Sequence, residues 1–238
     1  MTYKKIASEL NKSSNQAKAK ILSGFFKTGK GQYGESDKFL GITVPQQRQI
    51  SKKHYESASF EDLQKMLKSK IHEYRLTALI MLVYKYERTE DEKLKKQIYN
   101  FYIKNLQYVN NWDLVDVTTP NIVGDFLFHN QDKKNILYKL AKSKNLWEKR
   151  ISIVATYKFI REKQFEDTLK ISEILLYDEH DLIHKAVGWM LREMGKREIR
   201  PLVKFLDKYT NKMPRTMLRY AIEKFPEKMR QYYLKMTK

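Results

Sequence analysis

Apolar residues recur at helical spacing along nearly the whole chain, with lysines and glutamates filling the positions between them. Read by this period, the sequence predicts helices over Tyr3–Phe26, Pro45–Tyr55, Phe60–Lys68, Glu73–Tyr86, Asp91–Leu106 and Trp112–Leu127. The pattern continues over Lys133–Ala141, Trp147–Arg161, Phe165–Tyr177, Asp181–Met194, Pro201–Tyr209, Pro214–Lys224 and Pro226–Met236. The links between them are short, which favours antiparallel neighbours. Glycine and proline number only 8 and 5, and three glycines are crowded into "GKGQYG" at Gly29–Gly34. That is too little turn chemistry for a β-sandwich, so an all-α fold follows.

Alternate helices show weak self-similarity: "YRLTALIMLVYKY" from Tyr74, "VDVTTPNIVGDFL" from Val115, "KRISIVATYKFI" from Lys149 and "HKAVGWMLREMG" from His184. Asp116 to Arg150 is 34 residues and Arg150 to Lys185 is 35. A two-helix period of this size marks an α-solenoid of HEAT-like repeats, and the whole chain, residues 1–238, reads as one such domain with a concave face lined by second helices. One position of the repeat carries Arg75, Arg150 and Lys185, and carries Asp116 in the remaining copy. A carboxylate there either has a chemical task or serves as the ion-pair partner of Arg150 in the next repeat, and spacing leaves both readings open.

Composition narrows the function. With 238 residues and 42% hydrophobic content, the chain can bury a sizeable core. Cysteine is absent, which excludes disulfides and thiolate chemistry and fits a reducing cytoplasm, the expected location. The segment "MTYKKIASELNKSSNQAKAK" lacks the apolar run of a signal peptide, and the apolar stretch Leu76–Tyr84 falls short of the roughly 20 residues that cross a bilayer, so no membrane partner is expected. Lys+Arg total 47 against 28 Asp+Glu, a formal net charge of +19 and a pI near 9.7. Such a surface attracts polyanions and releases counterions on binding phosphates. Charge alone separates neither DNA from RNA or acidic lipid, nor any of these from plain solubilisation by lysine. No RNP-type aromatic motif points to RNA.

Several motifs have simpler structural roles. "GKGQYG" matches G-x-G-x-x-G, but a helix end precedes it and a loop follows, so a flexible basic loop with Lys27 and Lys30 is preferred to a nucleotide site. His180 and His184 stand at i, i+4 without a third ligand, which favours capping by Asp178 or Asp181 over metal, and no metal or cofactor is expected. Trp112, Trp147 and Trp189 are the only tryptophans, and core packing is the default for each. Trp112 nonetheless precedes Asp116 by four residues, which places the two on one helical face, and Trp189 follows Lys185 by the same spacing. Asn110 or Asn111 can cap this helix, and Asp113 suits its positive end. Asp116 sits too far in for that service and is the better candidate for chemistry.

The segments "NNWDLVDVTTPNIVG", "FLGITVPQQRQI", "LWEKRISIVATYKFI" and "KAVGWMLREMGK" resemble the AlkD-type DNA alkylation repair glycosylases, from about Phe39 to about Lys224. The resemblance implies a HEAT-like solenoid that binds duplex DNA in a basic concave groove as a monomer and, in base excision repair, excises cationic alkylated purines such as 3-methyladenine and 7-methylguanine. By motif, Asp116 is then the catalytic carboxylate, Trp112 and Trp189 aromatic walls, and Arg150 the neighbouring cation. Lys158 and Arg192 hold phosphates, and Pro45 and Arg48 form a DNA-contacting turn, although Thr43 stands where some members carry glutamine. The rival reading is a non-catalytic HEAT protein that binds branched or bent DNA, or a scaffold for acidic proteins.

Overall fold

The computed structural model of the chain describes residues 2–236, which are all-helical, without a strand among them. Contacts between residues divide the chain into two compact units, Met1–Ile122 and Val123–Lys238.

The first unit holds α1 (Thr2–Lys12), α2 (Gln16–Phe25), α3 (Val44–His54), α4 (Phe60–Leu67), α5 (His72–Glu87), α6 (Glu92–Lys104) and α7 (Trp112–Thr119). Helix α5 is its centre. It packs on α1, α3, α4, α6 and α7, and it is buried on nearly every side from His72 to Val83. That explains the apolar run "LTALIMLVY": a helix covered all round needs no polar face.

The second unit holds α8 (Asp125–His129), α9 (Asn135–Ala141), α10 (Leu146–Arg161), α11 (Glu166–Ile174), α12 (Asp181–Arg197), α13 (Ile199–Tyr209), α14 (Arg215–Ala221) and α15 (Glu227–Met236). Here α9, α10, α11 and α12 each pack on the next in sequence, and α10 packs on α12 and α12 on α14. Contact with the next helix and the next but one is the pattern of stacked helical pairs, an α-solenoid arrangement.

Two expected helices are interrupted. Tyr3–Phe26 breaks at Ser13–Asn15, where Asn15 adopts an extended backbone, its N–H donates to the Leu40 carbonyl at 2.7 Å and its side chain caps α2 by accepting from Lys18 at 3.0 Å. The amphipathic period runs across the break and hides it. Trp112–Leu127 divides as α7, a π-helical turn over Pro120–Gly124, and α8. Pro120 has no N–H to donate to the carbonyl four residues back, so the regular ladder cannot continue through it. At α3, Thr43 is the N-cap, with the Gln46 side chain accepting from its backbone N–H at 3.0 Å and Pro45 in the first turn. Thr43 thus has a local structural task.

The longest connection of the first unit, 26–43, contains the glycine cluster and carries hydrogen bonds along most of its length. Glu73, buried at the start of α5, accepts from the backbone N–H groups of Leu40 (3.0 Å), Gly41 (2.8 Å) and Ile42 (3.3 Å). Gly41 has φ +82°, and an added Cβ would lie 2.1 Å from the Asn15 carbonyl oxygen, so glycine is required there. These contacts deliver the chain in a fixed direction into α3.

Candidate active site

Helix α7 carries the carboxylate singled out in the sequence. It starts at Asn111, whose side chain accepts from the Trp112 N–H at 2.9 Å. Leu114, Val115, Thr118 and Thr119 are buried, whereas Trp112, Asp116 and Val117 are half-buried. Trp112 and Asp116 therefore share the less covered face, one turn apart.

Both ends of α7 are held. At its carboxyl end, the fully buried Tyr102 of α6 shares its hydroxyl with the Thr118 and Thr119 hydroxyls, each at 2.9 Å. Burial pushes the Tyr102 pKa up to about 12, and the Asp116 charge adds to the rise. Tyr102→Phe is expected to cost roughly 1–2 kcal/mol, since it leaves buried threonine hydroxyls short of a partner. Urea unfolding of the two proteins measures that difference.

At its amino end, Asp113 accepts from its neighbour Leu114 N–H at 2.9 Å and faces His72 Nε2 at 2.8 Å. The early acid thus does more than answer the helix dipole: it ties α7 to α5. His72 Nδ1 lies 3.1 Å from Asp37, which also accepts from Arg75 at 2.7 Å and from Asn111 at 3.3 Å. Burial lowers the His72 pKa, but the Asp113 charge and the hydrogen bonds of both carboxylates outweigh it and raise the group to about 9. Burial likewise raises the Asp37 pKa, and the bonds and charges of His72 and Arg75 overcome that and leave it lowered.

Trp112 does not stand alone as a wall. Its ring stacks on Phe26 at 5.1 Å and meets the edge of Phe25 at 5.8 Å, while Phe26 also stacks on Phe39 at 5.1 Å. Beside this stack opens a cavity of about 410 Å³ with walls that include Phe25, Phe39, Ile42, Leu76, Trp112 and Val117. None of Phe25, Phe26, Phe39, His72, Asp37 or Tyr102 was singled out from the sequence. The only local signal was "GFFKT" and "FLGITVP", aromatic residues on either side of a glycine-rich turn.

Of the other residues named from the sequence, Pro45 and Arg48 are exposed on the first turns of α3. In the second unit, Arg150 is buried on α10 and donates to the Leu182 carbonyl at 2.5 Å. Arg75, at the matching repeat position, likewise donates to a carbonyl, that of Ser69 at 2.9 Å. Trp189, half-buried on α12, lies 6.0 Å from the Tyr157 ring. Lys158 pairs with Asp125 at 3.3 Å and Glu162 at 2.9 Å, and Arg192 pairs with Glu193 and Glu223. Trp147 is core. His180 is itself the cap of α12, accepting from Leu182 N–H at 3.1 Å, whereas Asp178 accepts from His180 N–H at 2.9 Å. Among the described residues no group of three or more His, Asp or Glu is placed to hold a metal ion, and no helix is long and apolar enough to cross a membrane.

A family model described as DNA alkylation repair enzyme matches residues 6–225, and the chain belongs to that family. A solved structure, described as a predicted DNA alkylation repair enzyme from Enterococcus faecalis, is similar in fold with a TM-score of 0.70. The two are 16% identical, and the match covers 90% of this chain and 98% of that one. No curated protein matches the chain.

Proposed function

We propose that the protein is a monomeric, cofactor-free glycosylase that hydrolyses the N-glycosidic bond of cationic alkylated purines, such as 3-methyladenine and 7-methylguanine, in duplex DNA. The observation that carries the reading is Asp116: a half-buried carboxylate one helical turn from Trp112, on a helix held at both ends, in a chain of the DNA alkylation repair family.

Breaking the bond between C1′ and the base nitrogen builds positive charge on the sugar. The electron pair leaves with the base, which alkylation has already made cationic, so the departing purine needs no general acid. Asp116 stabilises the sugar charge and takes a proton from the water whose oxygen bonds to C1′. Trp112 offers an aromatic ring to the same cation, an attraction of roughly 0.5–2 kcal/mol. Arg150 and Trp189 enter the proposal on the sequence motif alone, as cation and second aromatic wall.

Binding falls to the basic surface, with a net charge of +19 and with Arg48 and Pro45 at the start of α3. Lys158 and Arg192 are already paired with carboxylates, so each exchanges a carboxylate for a phosphate when it serves DNA. Their contribution to affinity is smaller than that of an unpaired lysine, and strongly salt-dependent.

Hot-alkali cleavage of a methylated duplex tests the activity, because strands break where bases have been lost. Breaks at methylated purines that accumulate with protein concentration are the expected result. A duplex that is bound but never loses bases overturns the reading in favour of the non-catalytic DNA binder.

A further inference from the structure

We infer that His72 is a positioning residue for this reaction: bonded by a carboxylate on either side, its ring locks the first turn of α7 to the 26–43 loop and thereby fixes where Asp116 stands. The inference rests on the reading of Asp116 given above.

Both ring nitrogens of His72 face carboxylate oxygens, Nε2 that of Asp113 at 2.8 Å and Nδ1 that of Asp37 at 3.1 Å. A neutral imidazole has a single N–H and would turn a lone pair toward one of these acceptors, so the geometry calls for the doubly protonated ring. The ring is buried, stacked on Phe39 at 4.7 Å and tilted against Phe26 at 5.0 Å. It reaches α7 by two routes. One is the Asp113 carboxylate, and the other is Phe26, whose ring stacks on Trp112. Asp37 strengthens the first, since it also receives a hydrogen bond from Asn111, the cap of α7.

The charged groups around the ring are Asp37 from the loop, Asp113 from α7, Arg75 and Glu73 on its own helix, and Lys18 of α2, which lines the same cavity. Glu73 is turned to the backbone N–H groups of Leu40, Gly41 and Ile42 and does not bond the ring. Arg75 opposes the charge on His72 but also fixes Asp37.

The sign follows from a raised pKa. The lock is fully present below the ordinary histidine value of 6.5 and is lost as pH rises through about 9. Once the ring is neutral, a lone pair faces a carboxylate and one of the two contacts opens. Asp116 lies one turn from that contact, and a misplacement of about 1 Å at a reacting group costs roughly 100-fold in rate.

The test is the single-turnover rate of base excision against pH, from about 6 to about 10.5, for wild type and Asp113→Asn. Asparagine keeps a hydrogen bond to the ring and removes the charge that raises its pKa. The wild-type rate is expected to fall above about pH 9, and the fall in Asp113→Asn to come at least about one pH unit lower, with duplex affinity at pH 7 unchanged. A general loss of folding would lower the rate at every pH without moving this limb.

Ring ¹⁵N resonances of wild type supply a readout that needs no variant: both nitrogens of His72 are expected to be protonated at pH 8, and the Trp112 indole resonance to shift with the same midpoint. Identical limbs in the two proteins, or a neutral His72 at pH 8, overturn the lock. If wild type releases no base at any pH, the glycosylase reading fails by itself. The resonances then decide whether the lock exists: a Trp112 signal that moves with His72 supports it, and one that stays still overturns it.

Discussion

Asp116→Asn is expected to slow base excision by roughly 100- to 1,000-fold or more, the loss that follows removal of one preorganised charge-stabilising group from an active site. Asparagine fills the same space and keeps a dipole, but it can neither take a proton from water nor carry a full negative charge toward the sugar. Affinity for duplex DNA is expected to hold or rise slightly, because the change removes a negative charge from a protein that binds a polyanion. Single-turnover rates beside a binding titration separate the two effects. The fold has little reason to suffer, since the packing of α7 rests on Leu114, Val115, Thr118 and Thr119, which are buried, while Asp116 is half-buried.

The largest expected loss of stability comes from Glu73→Ala. Glu73 is 1% exposed, and its carboxylate collects three successive backbone N–H groups, those of Leu40, Gly41 and Ile42. Truncation leaves these donors without an acceptor where water has little access, at a cost of roughly 3–5 kcal/mol. Stabilities of domains this size are about 5–15 kcal/mol, so the variant retains only part of its margin. Urea denaturation followed by circular dichroism measures the change, and a loss below about 1 kcal/mol contradicts the role given to Glu73. The effect should reach DNA binding too, because this turn feeds directly into α3 with Pro45 and Arg48.

Helices α3 and α12 were legible in the sequence because their apolar residues recur at the 3.6-residue period, and α5, apolar on nearly every side, because its run is too long for a strand. The breaks were less legible. At Ser13–Asn15 the apolar period runs on across a kinked chain, so only the capping chemistry of Asn15 marks the interruption. Pro120 does carry its own warning, the missing N–H, but only the five residues Pro120–Gly124 separate α7 from α8, so the period reads through them.

For the site, Asp116 and Trp112 could be paired from their spacing, since helical geometry converts a difference of four into one face. The supports of α7 could not be found in that way. Asp113 and His72 are 41 residues apart, and Asp37 and His72 35 apart. No local rule joins a loop aspartate, a histidine that opens one helix and an aspartate that opens another. The aromatic stack of Phe26, Phe39 and Trp112 is assembled from a helix end, a loop and a third helix, and only the fold brings these together. Lys158 and Arg192 show the reverse case: a sequence displays basic residues but hides the carboxylates that already hold them.

The most direct test is the identity of the product formed from a duplex carrying a single 7-methylguanine. The proposed chemistry requires one equivalent of free 7-methylguanine, an abasic sugar in an otherwise intact strand, and no such product from Asp116→Asn on the same timescale. Guanine left in the strand without its methyl group, or a duplex bound by wild type and returned unchanged, would contradict it.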